Sequence, residues 1–346
     1  MMVQSETTQE SAAAVTDVAA VKDVAGAVSA TKEPVCEHVH VRVPATSANL
    51  GSGFDTLGLG LEYFDDLDFT LTGADVQVDI EGEGAQTLPR DASHLVVKSF
   101  LTACERLGLG RPGVRLQCVN RIPQARGMGS SAEAIAAGVS AAAAFAGKRT
   151  EQGDLDRDWV FAVAAELEGH PDNVAPAVYG SMTASWSVDA AGFRTISYPV
   201  APTMLACVFI PNFELSTSAA RQVLPTEVPF SDAIANVSHV ALMPAAMAGG
   251  AQANKLLFDA TQDALHQPYR LTLMEPSAAL IATMRQVGYA ACVSGAGPCV
   301  LVLHDCAGSS MDDVSQAIDA AAREHLDSGI WRVLHLPINT TGVHVD

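Results

Sequence analysis

One stretch constrains this chain more than any other: Arg-Ile-Pro-Gln-Ala-Arg-Gly-Met-Gly-Ser-Ser-Ala at residues 121–132, which opens an alanine-rich run ending at Ala146. Gly127 and Gly129 let the backbone take turns that a Cβ would forbid, and Ser130 and Ser131 stand where the helix begins. The first turn of a helix has N–H groups without partners, and its summed peptide dipoles place partial positive charge there. An anion is the natural occupant, and the two hydroxyls add donors. The stretch is not a Walker A loop, because no Lys follows the glycines, and it lacks the Gly-x-Gly-x-x-Gly of a dinucleotide site. A helix that is merely capped after a glycine turn would use the same residues.

The chain has 346 residues, which suggests two domains, and 49% hydrophobic against 17% charged residues suits well-packed cores. A formal charge of −19 opposes nucleic acid and anionic membrane surfaces, so a phosphate ligand must be held by backbone amides, a few cationic side chains and a divalent cation. Seven cysteines, an odd number lying mostly in apolar runs, read as reduced core residues of a cytoplasmic protein. Residues 1–36 lack aromatic side chains, have no basic start or continuous apolar core, and read as a disordered tail rather than a secretory signal. No run approaches the length of a membrane span.

Along the chain, alternation predicts a strand over 38–43 that Pro44 ends, then a loop over 44–58 rich in small residues, with Asn49 and Asp55 as its amide and carboxylate. Further strands are expected over 59–71, 76–80 and 114–119. Helices are expected over 93–107, 131–146 and 159–167, the last carrying Glu166 with Glu168 just beyond. Either carboxylate suits Mg²⁺, which takes one or two carboxylates plus phosphate oxygens; both also suit a solvated surface. His170, Asp172 and Asn173 follow. A boundary is expected near residue 200, between Pro199 and Pro202. Beyond it come strands over 204–210, 289–293, 299–304 and 331–336, and helices over 216–224, 231–243, 275–287 and 311–325, with Pro244 ending the second of them. Arg221 and Arg270 stand isolated in an acidic chain; each suits either a surface ion pair or bidentate capture of a carboxylate.

Three stretches, residues 44–55, residues 122–132 and Val293-Ser294-Gly295-Ala296-Gly297-Pro298, together resemble the GHMP small-molecule kinases. Within them the first stretch and residues 170–176 look like the homoserine kinase family, and the match spans about residues 40–340. The resemblance implies an α+β protein of two domains: a tail over 1–36, an ATP-binding domain over 37–200 like the second domain of ribosomal protein S5, and a ferredoxin-like domain over 201–346. It implies phosphorylation of the side-chain hydroxyl of L-homoserine by ATP with Mg²⁺, in the cytoplasm, and leaves a homodimer open.

By the same resemblance, Pro123, Gln124, Ala125, Arg126, Gly127, Met128, Gly129, Ser130, Ser131 and Ala132 wrap the triphosphate. Ser130 and Glu166 serve Mg²⁺, and residues 294–297 close the site. Asn49, Asp55, His170, Asn173, Arg221, Arg270 and Gly295 match the amino-acid site. A zwitterion needs donors for its carboxylate, supplied by Arg221 and Arg270, and an acceptor for its ammonium, supplied by Asp55; Asn49 or Asn173 then orients the hydroxyl. Asn173, Ser130 and Glu166 are the expected catalytic set, with Asp172 auxiliary. Two residues depart from the family pattern. Met128 stands for the commoner Leu, and Glu133 occupies a usually small position, where its carboxylate should face away from the phosphates.

Overall fold

The computed structural model describes residues 15–16, 32–188 and 192–346, so the expected tail falls largely outside the described residues. In chain order the strands are β1 (Val15–Thr16), β2 (His38–Ala48), β3 (Leu57–Thr72), β4 (Val76–Gly82), β5 (Gly113–Asn120), β6 (Met182–Ser187), β7 (Phe193–Tyr198), β8 (Met204–Pro211), β9 (Ala290–Val293), β10 (Val300–Asp305), β11 (Trp331–Pro337) and β12 (His344–Val345). The helices that matter for the site are α1 (Leu95–Arg106), α2 (Ser130–Phe145), α3 (Arg157–Glu168), α4 (Val174–Tyr179), α5 (Thr217–Gln222), α6 (Phe230–Val240), α7 (Met243–Met247), α8 (Ala253–Ala260), α9 (Gln267–Arg270), α10 (Glu275–Gln286) and α11 (Met311–Ala321).

The first eight-stranded sheet runs β1-β7-β6-β3-β2-β12, and the far half of the long β3 pairs with β5, which pairs in parallel with β4. Helices α1, α2 and α3 cover one face. Their alternating partners Val41, Val43, Leu67, Phe69, Val114 and Leu116 point into a core closed by Val97, Phe100, Ile135, Val139 and Phe161. The alanines of α2 are what allow it to be buried along nearly its whole length between α1, α3 and β2. The second sheet is antiparallel in the order β11-β8-β10-β9, the ferredoxin-like arrangement, with α10 and α11 packed on it through Leu280, Met284 and Ile318.

Four differences from the sequence reading have physical causes. Pro44 does not end its strand: β2 continues to Ala48 through a register shift between Pro44 and Ala45, where a bulge accommodates the missing N–H. The helix expected over 231–243 breaks after Val240, and Pro244 sits in the first turn of α7, the position where its lacking donor costs nothing. Lys32 and Val35, at the end of the expected tail, bond the end of α2, with Lys32 Nζ 2.5 Å from the Ala146 carbonyl and Val35 N 2.8 Å from that of Phe145. Finally, β12 returns from the second sheet to pair with β2, so the last residues belong to the first sheet.

Candidate active site

Loop 123–129 lies between the two sheets and is sewn to the second from several sides. Leu215 N bonds Ala125 O at 3.1 Å and Cys299 N bonds Arg126 O at 3.0 Å, while the Ser294 hydroxyl donates to Gly127 O at 2.6 Å. Gly127 and Gly129 have φ of 86° and 72°. A Cβ at Gly127 would lie 2.1 Å from the Ser294 carbonyl oxygen and one at Gly129 1.9 Å from Thr46 Oγ1, so the turn tolerates no side chain at either place. Gly129 precedes α2, and no side chain caps that helix, which leaves its first N–H groups facing the cavity beside it.

That cavity, of about 310 Å³, is lined by Ala125, Gly127, Gly129, Ser130 and Ser131 together with Asn49, Asp55, Glu168, His170, Asp172, Asn173, Arg221, Arg270 and Gly295. Residues separated by more than 200 positions thus meet in one space. Asp55 accepts two bonds from Arg221, at 2.8 and 2.9 Å, in a fork-to-fork pair that holds the Arg221 proton more firmly still. Asp55 itself has φ of 53°, and its N–H is held by Asn49 Oδ1 at 3.0 Å. Asn49 also donates to the Gly295 carbonyl at 2.7 Å, so its side chain clips the two halves of the site together. Asn173 Oδ1 accepts from the Thr46 hydroxyl at 2.8 Å. Its amide nitrogen has no partner among the described residues. Asp172 Oδ1 lies 2.9 Å from His170 Nδ1 and accepts the Asn173 N–H at 3.0 Å; this contact is the main reason the imidazole holds its proton above the usual histidine range.

A second cavity of about 290 Å³ lies across Ser130 and Ser131. Leu67, Leu88, Leu95, Val96 and Ile122 make it apolar, with Gln124, Ala125, Asn120, Asp65, His94 and Glu133 on its walls. Glu133 turns away from the first cavity, as expected of it, and into this one. Burial first, and Asp65 next, push its carboxyl well above the usual range, and Oε1 has no hydrogen-bond partner among the described residues. Both ring nitrogens of His94 also lack partners among the described residues, and burial lowers that ring's affinity for a proton.

The expected metal carboxylate needs correction. Glu166 lies outside both cavities, 64% exposed at its side chain, and accepts two 2.7 Å bonds from Arg106. Glu168 is the carboxylate that reaches the first cavity, 11% exposed, with Oε2 taking the Ser131 hydroxyl at 2.7 Å and Oε1 3.9 Å from His170 Nε2. Among the ten loop residues, Arg126 also turns away: Nε donates to the Pro211 carbonyl at 3.1 Å and Nη1 to that of Gln124 at 3.1 Å. Pro123, Met128 and Ala132 line neither cavity, and the last two are buried in the cores. His94, Leu95 and Ser216 are contributors that the sequence did not single out; nothing in their local pattern marks them, because each is brought in by a distant element.

The family models for the GHMP kinases N terminal domain and the GHMP kinases C terminal match residues 94–181 and 243–327. Homoserine kinase of Corynebacterium kroppenstedtii is 43% identical over 311 residues, covering 88% of this chain and 94% of that one. The chain belongs to the homoserine kinase family of GHMP kinases. Homoserine kinase of Streptomyces avermitilis is 44% identical over 304 residues, covering 86% of this chain and 96% of its own. The crystal structure of homoserine kinase from Cytophaga hutchinsonii superposes with a TM-score of 0.76 at 26% identity, covering 91% of this chain and 99% of that one. The two-domain GHMP architecture of the family is the one seen here, and the kinase family implies use of ATP. No helix among the described residues is long and apolar enough to cross a membrane.

Proposed function

We propose that this chain transfers the γ-phosphoryl group of ATP to the side-chain hydroxyl of L-homoserine, forming O-phospho-L-homoserine on the way to threonine. One observation carries the reading: the glycine turn at the start of α2 and the Asp55, Arg221 and Arg270 charges wall a single cavity. The nucleotide phosphates lie along the turn, stabilised by its N–H groups and by the dipole of α2. The apolar second cavity, sharing Ser130 and Ser131 with the first, takes the base.

The amino acid completes the charge pattern opposite. Arg221 gives two of its five N–H groups to Asp55, so three are left for a carboxylate, and each Asp55 oxygen keeps a lone pair for an ammonium. A zwitterion laid against this pair extends it into an alternating set of charges, with Arg270 as the second donor to the carboxylate. The Asn173 amide then points the hydroxyl at the phosphorus.

Glu168 with the hydroxyls of Ser130 and Ser131 forms a hard oxygen set at the phosphate end, which fits Mg²⁺; the described residues hold no cluster of three acidic, His or Cys ligands, in keeping with a cation that takes most of its other ligands from phosphate and water. The ion, when bound, neutralises charge building on the transferred group. Phosphoryl transfer through a loose transition state asks mainly for alignment and charge neutralisation, so a strong base is unnecessary. Asp172 is already engaged by His170 and the Asn173 N–H, and we expect Asp172→Asn to keep part of its turnover. ADP release measured with L-homoserine, mevalonate and galactose tests the reading. L-Homoserine should exceed both others in kcat/KM by roughly a hundredfold or more, the scale of a desolvated charge pair; equal or better turnover of mevalonate would overturn it.

A further inference from the structure

His266, immediately before α9, is wholly buried beneath the amino-acid end of the cavity. Its Nε2 lies 2.8 Å from the Gly51 carbonyl oxygen and its Nδ1 3.2 Å from Arg270 Nη1. A carbonyl only accepts and a guanidinium only donates. The proton of this ring therefore sits on Nε2, and Nδ1 is a bare acceptor for Arg270. Burial lowers the ring's affinity for a second proton, against the pull of the Asp263 carboxylate 3.6 Å from Nε2.

The surroundings leave the ring little freedom. Phe54 stacks on it with centroids 5.0 Å apart and planes 22° apart, and the Arg270 guanidinium carbon lies 5.0 Å from the Phe54 centroid. Asp263 Oδ2 accepts the backbone N–H groups of His266 and Gln267 at 2.9 and 2.7 Å, pinning the start of α9. Arg270 itself is 1% exposed and donates Nε to the Ala220 carbonyl at 3.2 Å and Nη1 to that of Gly295 at 3.4 Å. All its contacts thus engage Nε and Nη1. Nη2 has no hydrogen-bond partner among the described residues, and Arg270 lines the cavity.

We propose that His266 is a positioning residue for the substrate carboxylate: its unprotonated Nδ1, together with the Gly295 and Ala220 carbonyls, fixes the Arg270 guanidinium so that Nη2 faces the cavity. The proposal rests on the reading that Arg270 receives the α-carboxylate of the amino acid. A buried guanidinium without such acceptors would turn toward whatever oxygen it could reach, and the site would lose a preset donor.

Three substitutions separate positioning from general support. His266→Phe keeps the stack on Phe54 and removes both polar atoms; His266→Gln places a polar atom near Nε2 only; His266→Asn places its Oδ1 near Nδ1 and restores the acceptor. We expect Phe and Gln to raise KM for L-homoserine roughly tenfold or more, the effect of one misplaced charge-assisted bond. The kcat and the KM for ATP should stay within about threefold, and Asn should recover most of the loss. If Phe prevents folding, Gln gives the same reading. The proposal fails if Phe and Gln leave the homoserine KM unchanged, if Asn is as impaired as Gln, or if kcat falls without a change in KM. Arg270→Ala in parallel tells the two levels apart: an unchanged homoserine KM in that variant sinks the carboxylate reading itself, whereas a raised one beside a silent His266 sinks only the positioning role.

Discussion

Two carboxylates flank Ser130 and Ser131, one in each cavity, and burial raises both above the usual carboxyl range, yet their surroundings differ. Glu168 accepts a hydrogen bond from the Ser131 hydroxyl and has His170 nearby, so the desolvation that raises it is opposed by groups that favour its charge. Glu133 Oε1 has no donor among the described residues and Asp65 is beside it, so its carboxyl is pushed well above the usual range. The first cavity thus surrounds its carboxylate with groups that favour charge, and the second is largely apolar. That division suits a polyphosphate and a zwitterion on one side of the serines and a flat base on the other.

The comparison breaks most severely at Glu168. Replacing it by Gln should lower kcat roughly a hundred- to a thousandfold, the several kcal/mol that a correctly held cation supplies, while Glu166→Gln, which removes only a surface pair with Arg106, should stay within about twofold. Steady-state rates across a Mg²⁺ titration distinguish the two. Next in size is Arg221→Ala, expected to raise the homoserine KM by roughly a hundredfold, since it removes charge-assisted donors and leaves Asp55 unpaired; the KM for ATP serves as the control and should barely move. In the second cavity Leu95→Trp should raise the KM for ATP about tenfold by filling space, with the homoserine KM unchanged. An equal rise in both constants would mean that the cavities do not divide the substrates.

The smallest effect concerns stability. The Glu133 carboxyl binds its proton more tightly folded than unfolded, so between its ordinary value near 4.5 and its raised folded value the native state holds more protons than the unfolded chain. Stability from this group is fully present below that ordinary value and is lost as pH rises through the folded one. Asp65, pushed up to about 6 chiefly by burial, adds loss in the same direction from its ordinary 3.8 upward. Thermal denaturation of Glu133→Gln across this range should show a shallower decline in Tm than the parent; parallel curves would show that Glu133 is not held neutral.

Much of this was legible without coordinates. The order of helices and strands around the glycine turn and the mostly buried cysteines follow from residue type and spacing, whereas Asp55, Arg221 and Arg270 are grouped by the family resemblance; in the structure all three line one cavity. Other features were not legible. The strands Met182–Ser187 and Phe193–Tyr198 gave no pattern because Thr183, Ser185 and Thr195 are buried polar residues in place of apolar ones, with the Ser185 and Thr195 hydroxyls bonded to each other at 3.0 Å. The choice between Glu166 and Glu168 was beyond sequence for a simpler reason. Two residues apart on a helix, they point to nearly opposite sides, and only the packing of α3 decides which side meets the glycine turn.

Local chemistry therefore determined what the parts are: a turn that only glycine permits, a helix start that attracts anions, and side chains of the charges an amino acid requires. Tertiary structure alone decided who stands beside whom. Glu168 rather than Glu166 meets the glycine turn, Arg126 is spent on the Pro211 and Gln124 carbonyls, and His266 ends with one nitrogen on Gly51 and the other on Arg270. Such pairings join residues as many as 215 positions apart, and the direction in which a buried side chain faces is set by the packing of whole elements, which short-range pattern does not encode.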